Sequence, residues 1–190
     1  MARKLELSRS LHNDGAVLKP EDVADSAYVS VVPTLSSAHR LIQWLRAGIS
    51  DMDLLETMAC SLYGEAHVTI MYSRKQGIDL TKIPDPAKLT SYMYYGKALL
   101  GKIKEFEYWD GHNDKGYLVA KLDSPELCAL NEKWKQLGLK HSFDDYTPHV
   151  TIVSPFAENA PMVAALNQRL IDHPLSMEFL NEKIEPLNKD

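Results

Sequence analysis

The tetrapeptide His-Val-Thr-Ile occurs twice in the chain, beginning at His67 and again at His149. Side chains alternate between the two faces of a β-strand, so each histidine shares a face with the threonine two residues later. The two residues are then about 6.6–6.8 Å apart along the strand. His67 with Thr69 and His149 with Thr151 therefore form two matched sets, while the valines and isoleucines anchor the strands from the other face.

Two imidazoles and two hydroxyls that meet in one cleft are suited to cleaving a phosphodiester without a metal ion. One histidine would deprotonate the attacking oxygen and the other would protonate the leaving oxygen, since an imidazole with a pKa near ~6.5 serves either role. The threonines would donate to the non-bridging oxygens, where charge grows in the transition state. A metal site is the alternative, but neither motif has an adjacent Asp, Glu or Cys. We therefore expect no metal and no cofactor.

The two motifs occupy matching places in a repeated order of predicted elements. A strand beginning at Tyr28 is followed by a helix that carries Trp44 and by the strand of the first motif. A strand beginning at Tyr117 is followed by a helix that carries Trp134 and by the strand of the second motif. Both tryptophans, Trp44 and Trp134, are expected to lie in the core. The repeat predicts an α+β fold with two pseudo-symmetric βαβ-type lobes, whose sheets face a central catalytic cleft.

Breaks in the pattern predict the boundaries. Residues 1–26 are expected to form an N-terminal arm, and residues 27–190 a single bilobal domain. The first lobe is expected over about 27–91 and the second over about 92–190, with possible exchange of a strand. Residues 74–90 contain a glycine and two prolines and are predicted to be a loop.

Three helix starts have recognisable capping residues. Ser50 followed by Asp53 resembles a capping box. Ser124 followed by Pro125 combines an N-cap residue with proline in the first helical position. Asn159 is the expected start of the last helix.

Composition and charge exclude several classes. The 190 residues contain 21 Lys and Arg against 26 Asp and Glu, a net charge of −5, whereas a protein that follows a long nucleic-acid strand uses a basic face. No apolar run reaches the ~18 residues of a membrane span, and the N-terminus does not resemble a secretion signal. Cys60 and Cys128 form neither a disulfide framework nor a zinc motif. We expect a cytoplasmic protein with a small phosphorylated substrate, no membrane association and no obligate protein partner.

The paired motifs resemble those of the two-histidine (2H) phosphoesterase superfamily, which includes RNA 2′,3′-cyclic phosphodiesterases and LigT-like proteins. Within it, residues 66–73 and 145–152 most resemble the phage anti-CBASS nucleases, which degrade cyclic oligonucleotide alarm signals. The resemblance spans about residues 28–155. It implies a metal-independent hydrolase that opens 3′–5′ linkages of cyclic di- or trinucleotides to 2′,3′-cyclic phosphate products, in the host cytoplasm if the chain is phage-encoded.

The resemblance also implies roles for individual residues. The two motif histidines would be the acid–base pair, the two motif threonines the phosphate-oxygen donors, and the substrate's own 2′-OH the nucleophile. Trp109 would stack on a base and Glu178 would hold that base. Further substrate-binding residues expected around the cleft are Tyr28, Tyr72, Lys140 and Tyr146. The histidines that fit no repeated pattern are expected at the surface: His12, His39, His112, His141 and His173.

Two other functions are compatible with the sequence. An RNA 2′,3′-cyclic phosphodiesterase acting on RNA ends would use the same four side chains, and a basic groove outside the cleft would favour it. A non-catalytic cyclic nucleotide sponge would use the cleft for binding alone. Such a sponge would not need two histidines as a proton pair.

Overall fold

The computed structural model of the chain describes residues 26–74, 98–111, 116–136, 138–143 and 145–185. The predicted N-terminal arm and the predicted loop lie outside these residues, except for the last residue of the arm and the first of the loop. His12 and His112 lie outside them as well.

Six strands form one antiparallel sheet in the order β2-β1-β6-β3-β4-β5. Their bounds are β1 (Ser26–Pro33), β2 (Val68–Arg74), β3 (Leu99–Trp109), β4 (Gly116–Asp123), β5 (His149–Phe156) and β6 (Ser176–Glu185). The predicted α+β class is confirmed, but the prediction of two separate sheets is wrong for these strands. The last strand, β6, pairs with β1 on one side and β3 on the other, and so joins the two repeated units into one sheet.

Four helices lie within the described ranges: α1 (Leu35–Arg46), α2 (Met52–Gly64), α3 (Pro125–Gln136) and α4 (Ala160–Asp172). None of these helices is long and apolar enough to cross a membrane.

The helix starts agree with two of the three predicted caps. Ser124 Oγ and Asn159 Oδ1 each accept a hydrogen bond from the backbone N–H three residues later, at 3.2 and 3.1 Å. The start predicted at Ser50 is wrong by one residue, because Asp51 Oδ1 accepts from the Leu54 N–H at 3.0 Å. A carboxylate at this position also complements the positive end of the helix dipole.

The two faces of the motif strands have different surroundings. The valine and isoleucine of each motif are completely buried in a core that the helices share, and burying each such side chain contributes about 1.5–3 kcal/mol. Trp44 and Trp134 lie in the same core, as predicted, and the Trp44 ring stacks on Phe106 with a centroid distance of 5.5 Å. The motif histidines and threonines are half-buried on the other face. The predicted alternation is therefore confirmed.

Each motif strand contains a β-bulge at its isoleucine. Two adjacent residues of β1 pair with Thr69 and Met71 of β2. Ile70, which lies between these two residues of β2, is therefore the extra residue of the bulge. The same irregularity occurs in β5 at Ile152. A bulge shifts the alternation of the residues after it, so Tyr72 returns to the face that carries Thr69, and both line one cavity. Strict alternation would have directed Tyr72 into the core.

The second repeated unit supplies hydrogen bonds to β2, which is at one end of the order of the described strands. The buried Asn131, on α3, donates from Nδ2 to the Ile70 carbonyl at 2.6 Å. The Ser142 N–H donates to the Tyr72 carbonyl at 2.8 Å. In addition, β2 and β5 contact each other although they lie at opposite ends of the strand order. The sheet is therefore strongly curved, and the two motif strands lie close together.

Replacing Asn131 with Ala is expected to lower the free energy of unfolding by about 1–3 kcal/mol, because the Ile70 carbonyl loses a buried donor. Urea unfolding measures the change. Glu132→Ala is a matched control on the exposed side of the same helix, where the ion pair with Lys135 (2.7 Å) contributes at most about 1 kcal/mol. Equal stability of the two variants would contradict the proposed contribution of the Asn131 hydrogen bond.

Candidate active site

The four motif side chains lie around a cleft between β2 and β5. Thr69 and His149 line a cavity of about 510 Å³. His67 and Thr151 line a neighbouring cavity of about 430 Å³. Each histidine thus shares a cavity with the threonine of the other motif, and the structure brings the four predicted residues together. We call the first the aromatic cavity, for the rings described below, and the other the second cavity.

The two histidines are held by equivalent hydrogen bonds. Nδ1 of His67 lies 2.7 Å from the Glu65 carbonyl oxygen, and Nδ1 of His149 lies 2.8 Å from that of Thr147. A carbonyl oxygen only accepts hydrogen bonds, so Nδ1 carries the proton in both rings. Nε2 is then the nitrogen left to exchange a proton with a ligand. His67 precedes β2 by one residue, and this bond fixes its ring although it lies outside the strand.

The two imidazoles differ in their surroundings. Burial lowers the pKa of His149, the hydrogen bond to Thr147 opposes this effect, and the nearby His67 adds to the lowering. The Trp109 ring covers His149 with a centroid distance of 4.3 Å. Because desolvation disfavours the imidazolium, His149 stays neutral to a lower pH than an ordinary histidine. A neutral imidazole is the form that accepts a proton.

A chain of polar contacts fixes Trp109. Its Nε1–H donates to Glu107 Oε2 at 2.6 Å, and Lys121 Nζ lies 3.3 Å from the same carboxylate and 2.7 Å from that of Glu105. The indole hydrogen bond, followed by Lys121, holds the pKa of Glu107 below its usual value. The indole ring is therefore anchored at its polar edge while the ring lines the cavity.

Aromatic rings form most of the wall of the aromatic cavity. Tyr28 Oη lies 2.8 Å from Thr69 Oγ1, and the Tyr28 ring meets the Tyr72 ring edge to face at 6.0 Å. Of the residues expected to bind substrate, Tyr28, Tyr72, Trp109 and Tyr146 line this cavity. Rings of this kind are suited to stacking on nucleobases.

The structure does not bring the other two expected binding residues to the cleft. Lys140 is exposed, and neither it nor Glu178 lines either cavity. Glu178 lies in β6, where its N–H donates to Ser37 Oγ and its carbonyl accepts from the Thr34 N–H, both at 2.8 Å. Their roles in binding stay predictions.

Four residues that line the aromatic cavity were not predicted from the sequence: His141, Phe143, Asp145 and Thr147. His141, predicted at the surface, is half-buried, and burial lowers its pKa. Its ring contacts Phe143 and Tyr146 at centroid distances of 5.6 and 5.7 Å. Phe143 is 62% exposed and also contacts Tyr72. The available signal was a run of aromatic residues directly before the second motif.

The charges that line the cleft are few. Among the described residues around the two cavities there is no Lys or Arg, whereas Glu65 and Asp145 are present. A phosphate bound between the motifs would therefore interact with an imidazolium and with hydroxyls. Within the same described ranges, no three His, Cys, Asp or Glu side chains come together as metal ligands would.

Two histidine–threonine pairs, at the two motif strands that lie close together beside an aromatic cavity, define an α+β protein with a candidate acid–base site. A family model described as "Anti-CBASS protein Acb1" matches residues 25–190. The chain belongs to this family. The resemblance to phage anti-CBASS proteins that the two motifs indicated is confirmed at this level.

Several relatives carry the same description and come from phages. One from Vibrio phage KVP40 is 32% identical over 117 residues, which cover 60% of this chain and 68% of the relative. One from Enterobacteria phage T4 is 28% identical over 120 residues, covering 61% and 70%. One from Acinetobacter phage Ac42 is 38% identical over 86 residues, covering 45% and 49%.

Proposed function

We propose that this protein is a phage anti-CBASS phosphodiesterase that cleaves 3′–5′ linkages of cyclic di- or trinucleotides by acid–base catalysis, without a metal, in the host cytoplasm. The observation that carries the proposal is that the two histidines have equivalent surroundings. Nδ1 of each forms a hydrogen bond with a backbone carbonyl oxygen, and each histidine shares a cavity with the threonine of the other motif. Membership in the anti-CBASS family supports the substrate class. We also place the fold in the 2H phosphoesterase superfamily, with β2-β1-β6 and β3-β4-β5 as the two lobes.

The burial of His149 supports its role as the general base. Its Nε2 takes the proton of the substrate 2′-OH, and the 2′ oxygen attacks phosphorus. The bond from phosphorus to the 5′ oxygen breaks, and His67 Nε2 gives its proton to that oxygen. The products are a 2′,3′-cyclic phosphate end and a 5′-OH end, so a cyclic substrate becomes linear. Thr69 and Thr151 donate to the non-bridging oxygens, where negative charge develops.

The position of Trp109 supports one orientation of the substrate. Because the ring lies beside His149 in the aromatic cavity, a base stacked there brings its own ribose next to the general base. The nucleoside in the aromatic cavity is therefore the one that supplies the attacking 2′-OH.

The activity is tested by incubating the protein with cyclic di- and trinucleotides in the presence of EDTA. The expected products are linear oligonucleotides that end in a 2′,3′-cyclic phosphate. No turnover of any cyclic or linear 3′–5′ substrate would contradict the proposal. Tight binding without turnover would instead favour a sponge, and hydrolysis of 2′,3′-cyclic phosphates on RNA ends would favour an RNA-end phosphodiesterase.

Trp109→Ala is expected to change both the affinity for substrate and the pH dependence. Loss of one base-stacking contact costs about 1–3 kcal/mol, which appears as a higher KM. In a plot of kcat/KM against pH, the fall on the acidic side (the acidic limb) reports protonation of the general base, His149. Because the pKa of His149 is lowered, the midpoint of this fall in the wild type is expected below pH ~6.5. The variant exposes His149 to water, raises its pKa and moves this limb upward.

Steady-state kinetics over a range of pH test this prediction. Trp109→Phe is the matched control, since it keeps one aromatic ring beside His149 and removes the hydrogen bond to Glu107 together with the second ring of the indole. We expect its acidic limb to stay near that of the wild type. A wild-type limb at or above ~6.5, or a limb unmoved in Trp109→Ala, would contradict the assignment of His149 as base.

A further inference from the structure

The repeat gives the two cavities corresponding walls. Tyr72 lies five residues after the first motif histidine and lines the aromatic cavity, while Ser154 lies five residues after the other and lines the second cavity. A tyrosine on the neighbouring strand completes each wall, Tyr28 from β1 in one case and Tyr117 from β4 in the other. The bulges after the motif threonines, at equivalent positions, produce this correspondence.

The second cavity nevertheless has its own lining. Tyr117 is 37% exposed, and among the described lining residues it is the only aromatic ring apart from the imidazole of His67. Another part of the lining comes from α2 and carries the hydroxyls of Thr57 and Ser61. The Thr57 hydroxyl donates to the Asp53 carbonyl at 2.9 Å, so its oxygen faces other groups as an acceptor. One ring and several small polar groups suit a nucleoside better than an apolar ligand.

We propose that the second cavity binds the nucleoside on the leaving side of the scissile linkage, and that Tyr117 packs against this nucleoside. The inference rests on the proposed function. An internal 3′–5′ linkage has a nucleoside on each side of phosphorus, and the attacking and leaving oxygens are in line on opposite sides. With the attacking nucleoside beside His149, the leaving nucleoside lies on the side of His67. The second cavity opens there, and about 430 Å³ is within the usual range of small-molecule sites.

Two substrates distinguish the contributions of the two cavities to activity. A cyclic dinucleotide fills both, whereas a nucleoside 3′-(methyl phosphate) diester fills only the cavity of the attacking nucleoside. For Tyr117→Ala, we expect kcat/KM to fall about tenfold more for the cyclic dinucleotide than for the methyl diester, as loss of one aromatic contact to a nucleoside predicts. Tyr117→Phe should retain the wild-type ratio, since the ring is kept. Trp109→Ala should lower both values to the same extent.

Tyr63→Ala serves as the control for removal of an exposed tyrosine. Tyr63 lies on α2, is 49% exposed and lines neither cavity, so the variant should keep both wild-type rates. Equal losses on the two substrates in Tyr117→Ala, or no loss on either, would overturn the inference while wild-type turnover still supports the proposed function. A wild-type protein that turns over neither substrate would overturn both.

Discussion

His67→Ala and His149→Ala are each expected to lower kcat on a cyclic dinucleotide by about 10²–10⁴-fold, the usual contribution of a general acid or base. Both rings are fixed by a backbone carbonyl at Nδ1, so each Nε2 is ready for proton transfer. Initial rates of linear product formation measure the loss. His39→Ala is the control, because His39 is exposed and bonded to Tyr63 away from the cleft.

A substrate with a good leaving group separates the acid from the base. A nucleoside 3′-(4-nitrophenyl phosphate) needs little help from an acid, since nitrophenolate leaves unprotonated. His67→Ala should therefore recover most of its activity on this substrate, and His149→Ala should not. The reverse pattern would exchange the two roles, and near-wild-type activity of either variant on the cyclic dinucleotide would remove that histidine from the mechanism.

Thr69→Val and Thr151→Val are each expected to lower kcat by about 10²–10³-fold, the effect of removing one hydrogen-bond donor to a developing oxyanion. Valine has the shape of threonine and is equally suited to a strand. Any loss of activity therefore reports the missing hydroxyl. Steady-state kinetics should show the effect in kcat, with KM changed much less, since the donors act on charge that grows in the transition state.

Tyr28→Phe is the matched comparison for Thr69. It removes only the hydroxyl that lies 2.8 Å from Thr69 Oγ1. That bond orients the threonine, and its loss is expected to cost about 0.5–1.5 kcal/mol, or roughly two- to tenfold. If Thr69→Val is no slower than Tyr28→Phe, Thr69 is an ordinary strand residue and does not donate to the developing oxyanion.

Local patterns predicted the parts of the site that depend on one strand or one helix start. The alternation of His67 and Thr69 against buried neighbours follows from strand geometry alone. The same holds for the caps at Ser124 and Asn159, where the side chain and its backbone donor are three residues apart. These contacts need no knowledge of the rest of the chain.

Contacts between distant residues could not be predicted in this way. The single sheet depends on β6, which pairs with strands far from it in sequence. The position of Tyr72 depends on a bulge, and a bulge is defined by the register with the partner strand. His141 and Phe143 reach the cavity because the Ser142 N–H binds the Tyr72 carbonyl. Each of these features becomes visible only when two separate segments are placed together.

We expect the bulges at Ile70 and Ile152 also to affect how the protein behaves at high concentration. The two motif strands lie at the two ends of the order of the described strands, and the end strands of a sheet are where pairing with strands of other molecules can begin. An irregular, locally twisted strand is a poor template for such growth. We therefore expect the feature that turns Tyr72 toward the cleft to disfavour such pairing as well. A sequence that flattened these strands would risk solubility as well as activity.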